Sequence, residues 1–275
     1  MNFQKPKVKA PSNELIYKTK SVLDKYSSHT ICIESLCPNI AECFERKTAT
    51  FLILGNICTR NCKFCAVESG KPKEINLQEP KKVAEAIKEL RLKYVVITSV
   101  DRDDLKDFGA SHFAKTVEEI KKINPKTKIE LLTPDFQNKK SSLDIVINSD
   151  PYKLAHNIET VRRLSKKIMP GCSYDKSLKV LEYYAKSEII TKSSIMVGLG
   201  EREEEIEECF RDLLNVGVKQ LTIGQYLSPS KTNAKVIKYY HPKEFQELKK
   251  LALSMGFEAV ASGILTRSSY YADIL

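Results

Sequence analysis

Apolar residues recur along this chain in two alternating rhythms. Seven short, nearly unbroken apolar runs predict strands at 48–54, 94–99, 128–133, 152–156, 194–197, 221–226 and 258–261. Several are rich in β-branched residues and show no polar alternation, as strands covered on both faces should. Between the runs, apolar residues return every three or four positions and predict helices. The stretch 79–92 sets Val83, Ala86, Ile87 and Leu90 on one face behind Glu79-Pro80, and 110–123 does the same with Phe113, Val117 and Ile120. Further stripes run through 176–186 (Leu178, Leu181, Tyr184) and 203–216 (Ile206, Phe210, Leu213, Leu214), the latter ending at Gly217. A last helix at 241–255 has a proline in its first turn and stops at Gly256. No period is assigned to 136–151.

Strand and helix alternating some six times predict a parallel sheet wound by right-handed crossovers. The count falls short of eight, so the expected fold class is α/β, an incomplete (β/α)6 TIM-type barrel. No linker rich in Gly, Ser or Pro divides the chain. Residues 47–262 are therefore expected to form one core domain, with 1–46 as a cysteine-rich N-terminal extension and 263–275 as a short C-terminal tail.

Composition narrows the setting. With 42% hydrophobic and 29% charged residues the chain is expected to be globular, and no run of about 18 apolar residues predicts a membrane span. The N-terminus is basic but has no apolar stretch of the secretory kind. A cytoplasmic protein is expected, in which thiols stay reduced. The net charge of +10 comes from dispersed lysines, without a basic run interleaved with aromatics. Solvated helix faces or an acidic protein partner account for it, and neither nucleic acid nor a membrane is expected as a partner.

The cysteines change the picture. Six of the eight lie between Cys32 and Cys65. Cys58, Cys62 and Cys65 are spaced C-x3-C-x2-C directly after the first predicted strand, at the barrel end where active sites are built. A structural zinc site needs a fourth ligand nearby, and the next cysteine is Cys172. Three thiolates instead suit a [4Fe-4S] cluster with one iron left open. This spacing, with the aromatic Phe64 before the last cysteine, resembles the signature of radical S-adenosylmethionine enzymes. The resemblance implies that the open iron chelates the methionine end of S-adenosylmethionine and that an electron from the cluster releases a 5′-deoxyadenosyl radical.

Cys32, Cys37 and Cys43 form a second triplet, C-x4-C-x5-C, which again matches a cluster better than zinc. Cys37-Pro38-Asn39-Ile40-Ala41-Glu42-Cys43 and the stretches 48–55, 94–105, Pro134-Asp135-Phe136, 156–161, 196–201, 221–227 and Arg267-Ser268-Ser269-Tyr270 together resemble the lipoyl synthases over nearly the whole length. That resemblance implies a second, auxiliary [4Fe-4S] cluster on Cys32, Cys37 and Cys43, completed by a serine. It assigns Ser269, a choice over Ser268 that the sequence does not make. An oxygen ligand is a weak partner for iron in a thiolate-rich cluster, as suits a cluster that is dismantled for its sulfur.

The remaining motifs are placed by the same resemblance. Gly198, Gly200 and Glu201 resemble the adenine-side turn of the superfamily, although such glycine pairs also simply make tight turns. Asn157 and Glu159 are candidates for the ribose hydroxyls or methionine amine, with helix capping as the competing explanation. Thr98, Ser99 and Asp101 end a strand where the superfamily contacts the methionine amino group. Asp101-Arg102-Asp103-Asp104 reads equally as a self-satisfied charge cluster. Cys209 is expected in the core, Cys172 as an incidental thiol, and none of the four histidines as a metal ligand.

The implied reaction inserts two sulfur atoms, at C6 and C8, into an octanoyl chain on a lysine of a lipoyl carrier domain. That domain would belong to a 2-oxoacid dehydrogenase E2 subunit or the glycine cleavage H protein, and a ferredoxin or flavodoxin would supply electrons. Unactivated C–H bonds are beyond acid–base chemistry, so a radical is required. A transfer-RNA methylthiolating enzyme would need an additional RNA-binding domain, a biotin-synthase-like enzyme another sulfur source, and a zinc protein would be colourless.

Overall fold

The computed structural model describes residues 13–34, 37 and 39–275, so the first twelve residues of the expected extension lie outside the described part. In chain order the elements are α1 (Asn13–Tyr26), β1 (His29–Thr30), α2 (Ile31–Glu34), α3 (Ile40–Glu45), β2 (Thr48–Ile53), β3 (Ile57–Cys58) and β4 (Glu68–Ser69). They continue with α4 (Glu79–Glu89), β5 (Tyr94–Ser99), α5 (Ala110–Ile123), β6 (Lys128–Leu132), α6 (Lys140–Asn148), β7 (Lys153–Ala155), α7 (Arg162–Ile168) and α8 (Tyr174–Ala185). The chain ends with β8 (Ile190–Val197), α9 (Glu203–Asn215), β9 (Gln220–Gln225), α10 (Pro242–Met255) and β10 (Ala259–Gly263). From β2 onward, six strand–helix repeats are followed by a final strand, the repetition that the apolar rhythm predicts.

The described residues fall into two compact units, one of 13–60 and 67–154, the other of 61–66 and 155–275. In the first unit β2, β5 and β6 are parallel and in phase. Thr48 stands beside Tyr94 and Tyr94 beside Lys128, so the three strands run out at the same edge. Everything that follows them, the Cys58 loop, Asp101 and Asp135, therefore begins from one edge of the sheet. The strand β1 pairs antiparallel with β2, His29 opposite Leu52 and Thr30 opposite Phe51. The β2 strand is buried from end to end, as an unalternating strand should be. The apolar faces of α4 (Val83, Ala86, Ile87) and α5 (Phe113, Val117, Ile120) are buried, and Phe113 meets Phe136 edge-on at 5.9 Å.

In the second unit β8, β9 and β10 are parallel and also in phase, Lys192 beside Gln220 and Gln220 beside Ala259. The residues after β7 run on alongside β8: Glu159 donates its backbone N–H to Ser194 and accepts from that of Met196. Ile206, Cys209, Phe210 and Leu213 of α9 enter the core with Leu221, Ile223 and Phe257. Cys209 is thus a core residue, its thiol pushed up to about 12 by burial.

The elements β5 and α5 coincide with the expected spans to the residue. The strand β8 begins four residues earlier than expected, through Thr191, Lys192 and Ser193, polar side chains that are nonetheless buried. The helix α6 fills part of the unassigned stretch, and α7 was not expected.

Candidate active site

At the edge of the first unit the chain leaves β2 through Leu54. Its backbone N–H donates to Glu79 Oε2 at 2.8 Å, and its carbonyl accepts from Arg102. His112 meets the same Glu79 oxygen at 2.7 Å. These buried polar contacts fix the strand end from which the cysteine loop departs. Cys58 then places its sulfur against two backbone donors, the N–H of Arg60 at 3.4 Å and of Asp101 at 3.3 Å. Donors of this kind favour a thiolate and tune any cluster bound to it.

Arg60 organises the surroundings. It forks onto Asp103 at 2.8 Å through both Nε and Nη2, reaches Asp135 at 2.7 Å and lies 3.2 Å from Asp101. Burial alone would lower the guanidinium's pKa, but the carboxylates outweigh it and hold the pKa above its ordinary value. Asp103 is held down at about 2, chiefly by its hydrogen bonds to Arg60. Burial pushes Asp101 up to about 6, with Arg60 pulling against it. The 101–104 run is thus a satisfied charge cluster, with Arg102 paired to Asp104 at 2.8 Å, and its other cation comes from inside the cysteine motif. Neither Arg60 nor Asp135 carries a role in the sequence reading. Asp135 lies in one of the stretches that carry the resemblance and Arg60 only inside the cysteine motif, which was the available signal.

Cys62 and Cys65 belong to the second unit, where Cys62 and Phe64 pack against its core. Their turn is pinned from two sides. Lys63 donates its N–H to the carbonyl of Ile168 at 2.7 Å and accepts from Ala234 at 2.8 Å. Asn233 donates through Nδ2 to the carbonyls of Lys63 and Cys65 at 3.2 and 2.9 Å. Sequence reasoning missed Asn233, which sits in a loop without apolar period.

The residues expected to hold S-adenosylmethionine occur in both units. In the first, Thr98 and Ser99 end β5, and the buried Ser99 Oγ has no hydrogen-bond partner. In the second, Asn157 donates to Glu159 Oε1 at 3.0 Å while its own Oδ1 is buried without a partner. Desolvation pushes Glu159 up to about 7, and the Asn157 contact only partly offsets it. Orphaned polar atoms are costly in a folded chain unless a ligand completes them, so Ser99 Oγ in the first unit and Asn157 Oδ1 in the second are each suited to a polar ligand. Glu201 accepts from the N–H groups of Gly198 at 2.5 Å and Leu199 at 2.9 Å, which shapes the turn itself. Gly198 has φ 107°, and a Cβ there would strike Gln225 and the carbonyl of Lys238. The close approach that requires this glycine is to the chain's own backbone. A Cβ at Gly200 would meet only Ile237, in ordinary contact from 3.5 Å, so it is the positive φ of 101° that favours glycine there.

The second triplet lies in the first unit. Cys32 is buried in α2, its thiol pushed up to about 11 by desolvation, with Cys37 adding to the shift. The backbone N–H of Cys37 donates to the carbonyl of Cys32 at 3.0 Å, and Cys43 lies on α3. A thiol that resists ionisation by burial is relieved when iron replaces its proton. All eight cysteines are unbridged. Among the described residues no three His, Cys, Asp or Glu are gathered to hold a single ion. A cuboidal cluster asks for a wider set, since each thiolate binds a different iron.

Ser268 and Ser269 lie half-buried in the C-terminal turns of the second unit. That segment is seated on β9. Gly224 leaves room for the carbonyl of Thr266, which a Cβ would overlap, and Arg267 donates to the carbonyl of Gln225 at 3.4 Å. His156 is satisfied by Ser177 at 3.0 Å. Among the described residues no helix is long and apolar enough to cross a membrane.

Parallel strand–helix repeats with a C-x3-C-x2-C loop after the first parallel strand define a radical S-adenosylmethionine enzyme, and the sequence model of the Radical SAM superfamily matches residues 52–213. The solved structure of Streptococcus suis SuiB with its precursor peptide shares the fold, at a TM-score of 0.62 and 14% identity over 96% of this chain and 58% of that one. Among curated proteins, lipoyl synthase of Caldicellulosiruptor saccharolyticus is 50% identical over 99% of this chain and 98% of its own. That of Parabacteroides distasonis is 47% identical over 97% and 95%. The chain belongs to the lipoyl synthase family, sulfurtransferases that insert two sulfur atoms at C6 and C8 of an octanoyl chain.

Proposed function

We propose that Cys58, Cys62 and Cys65 hold the cluster that works with S-adenosylmethionine, and that Cys32, Cys37, Cys43 and Ser269 hold a second, sacrificial one. When bound, the first would supply the electron that splits S-adenosylmethionine into methionine and a hydrogen-abstracting 5′-deoxyadenosyl radical, and the second would supply sulfide. The chain's own residues bind and position. Ser99 and Asn157 offer unfilled polar atoms, and Glu159 offers a carboxylate for the amine or ribose of S-adenosylmethionine. Thr98, Gly198, Gly200 and Glu201 shape the strand ends and the turn around it. In this assignment 1–46 is the extension bearing the auxiliary cysteines, 47–262 the barrel and 263–275 the tail with the serine. The substrate is the octanoyl-lysine of a carrier domain, either a 2-oxoacid dehydrogenase E2 or the glycine cleavage H protein. Electrons come from a ferredoxin or flavodoxin in the cytoplasm.

The observation that carries this is the pairing of two cysteine triplets with near-half identity to lipoyl synthases along the full length. Iron and sulfide counting on anaerobically prepared protein tests it, together with Cys37→Ala. Two four-iron clusters are expected in the wild type and one in the variant. The variant should still cleave S-adenosylmethionine but form no lipoyl product. Loss of both activities, or a single cluster in the wild type, defeats the assignment.

A further inference from the structure

The segment between β9 and α10 has a composition and a setting that the sulfur chemistry does not explain. From Tyr226 to His241 it contains Lys231, Lys235 and Lys238 and no acidic residue. It presents apolar surface beside these charges: Ile237 is 67% exposed and Tyr239 44%. Lys238 is engaged by Glu244 at 2.6 Å, whereas Lys231 and Lys235 form no ion pair among the described residues and are exposed. A positively charged rim around exposed aliphatic and aromatic side chains is the make-up of a protein-binding patch.

The segment has no regular structure, yet its backbone is tied down along its length. Tyr226 donates its hydroxyl to the carbonyl of Ala234 at 2.8 Å, and Gln225 Nε2 donates to the carbonyl of Lys238 at 3.0 Å. Ile237 donates its N–H to Gly198 at 2.8 Å, and Tyr240 donates to Gln225 Oε1 at 2.9 Å. Ala234 and Asn233 bond the carbonyls of Lys63 and Cys65. Such a surface is ordered before a partner arrives, which lowers the entropic cost of docking. It is also joined by direct hydrogen bonds to the turn that carries two of the cluster cysteines.

We propose that this segment is the docking surface for the acylated protein substrate, and that it selects a partner with an acidic surface around its modified lysine. The proposal rests on the carrier-domain reading above and adds the face on which the carrier sits. Lys231 and Lys235 steer and hold the acidic rim, while Ile237 and Tyr239 supply the dry centre. Docking here places a long acyl-lysine arm beside the Cys62–Cys65 turn. Opposite charges across such an interface raise the association rate and make it salt-dependent.

The test uses the reconstituted full chain with an octanoylated carrier domain and with a short, neutral octanoyl-lysyl peptide. The paired reversal Lys231→Glu with Lys235→Glu should raise KM for the carrier at least tenfold at low salt and flatten its dependence on ionic strength. The loss of kcat/KM should be several-fold larger for the carrier than for the peptide. Ile237→Ser should raise KM for the carrier without changing the salt slope, and circular dichroism reports whether each variant is folded. Equal losses on carrier and peptide, or an unchanged carrier KM, overturn the docking surface. So does RNA binding to the wild type that the reversals abolish while carrier KM stays the same. Absence of lipoyl product from the wild type on either substrate would defeat the carrier-domain reading itself, a result distinct from these.

Discussion

Arg60 and Asp135 form an ion pair at 2.7 Å with side chains only 5% and 2% exposed. The same guanidinium also serves Asp101 and Asp103, so three carboxylates share one buried cation. Removing one partner of a buried pair costs about 3–5 kcal/mol, because the other charge stays behind unpaired. Arg60→Ala should therefore lower the unfolding free energy of the cluster-free protein by about that much in urea titrations at pH 7. Arg60→Lys keeps the charge but not the fork onto Asp103, and should recover only part of the loss. A cost below about 1 kcal/mol for Arg60→Ala would mean that water compensates the carboxylates.

Glu159 makes stability depend on pH in an unusual direction. Its carboxyl titrates near 4.5 in an unfolded chain and near 7 in the fold, because burial disfavours the charged form. Between those values the folded state holds a proton that the unfolded state has lost. The contribution to stability is thus complete below about pH 4.5 and disappears as pH rises through about 7. Urea midpoints of the cluster-free wild type should drift downward across this window relative to Glu159→Gln. Bound S-adenosylmethionine, whose cationic amine favours the carboxylate, should reduce the drift. A parallel pH dependence of the two proteins would show that Glu159 is not desolvated.

The strands and most helices of this fold are legible in the sequence because each buries an apolar pattern that local spacing reveals. Tyr94–Ser99 is continuous and β-branched, and Ala110–Ile123 repeats its apolar residues at three- and four-residue intervals. Shorter helices escape. In α6 the buried positions are Ser142, Leu143 and Val146, and in α7 they are Leu164, Ser165 and Ile168, too few apolar residues to set a period. The spacing of the cysteine triplets suggests iron–sulfur clusters, and the resemblance to the family gives them their proposed roles. What supports the triplets is not legible in this way. Arg60 and Asp135 stand 75 positions apart and Asn233 is 168 from Cys65, so only the fold brings them together. Gly198 shows the converse. Its position after a strand suggests a ligand, while its nearest neighbours are Gln225 and Lys238 of the same chain.

The missing side chain of Gly224 seats the C-terminal turns. A Cβ at this position would overlap the Thr266 carbonyl, and the backbone offers no flexible tip to give way. Overpacking of this kind costs about 1–3 kcal/mol, and the cheapest relief is to lift residues 264–275. Gly224→Ala should make the tail more susceptible to limited proteolysis and, if Ser269 is an iron ligand, weaken retention of the second cluster. Ser269→Ala should weaken that cluster with the tail still protected. Retention of both clusters by both variants would remove Ser269 from the ligand set.

In the proposed cluster assignment, Asn233 bears on the cluster of Cys58, Cys62 and Cys65 and not on the other. Its side-chain amide spans the carbonyls of Lys63 and Cys65, and the adjacent Ala234 N–H reinforces the first of these. Asn233→Ala removes the two bonds to this turn, each worth about 0.5–1.5 kcal/mol, together with the one that Oδ1 accepts from Ser230 at 2.6 Å, and leaves the Ala234 bond in place. The turn bearing Cys62 and Cys65 should then open more often. Iron should be lost to a chelator several-fold faster from the cluster on Cys58, Cys62 and Cys65, and at the wild-type rate from the cluster on Cys32, Cys37 and Cys43. Asn233→Asp should fare no better, because a carboxylate has no proton to donate and would face two carbonyl oxygens. The order of loss can be followed by Mössbauer spectroscopy of singly reconstituted variants, Cys37→Ala for the first cluster and Cys62→Ala for the second. Equal acceleration in both backgrounds would show that the substitution loosens the protein at large and that Asn233 has no particular hold on the cysteine turn.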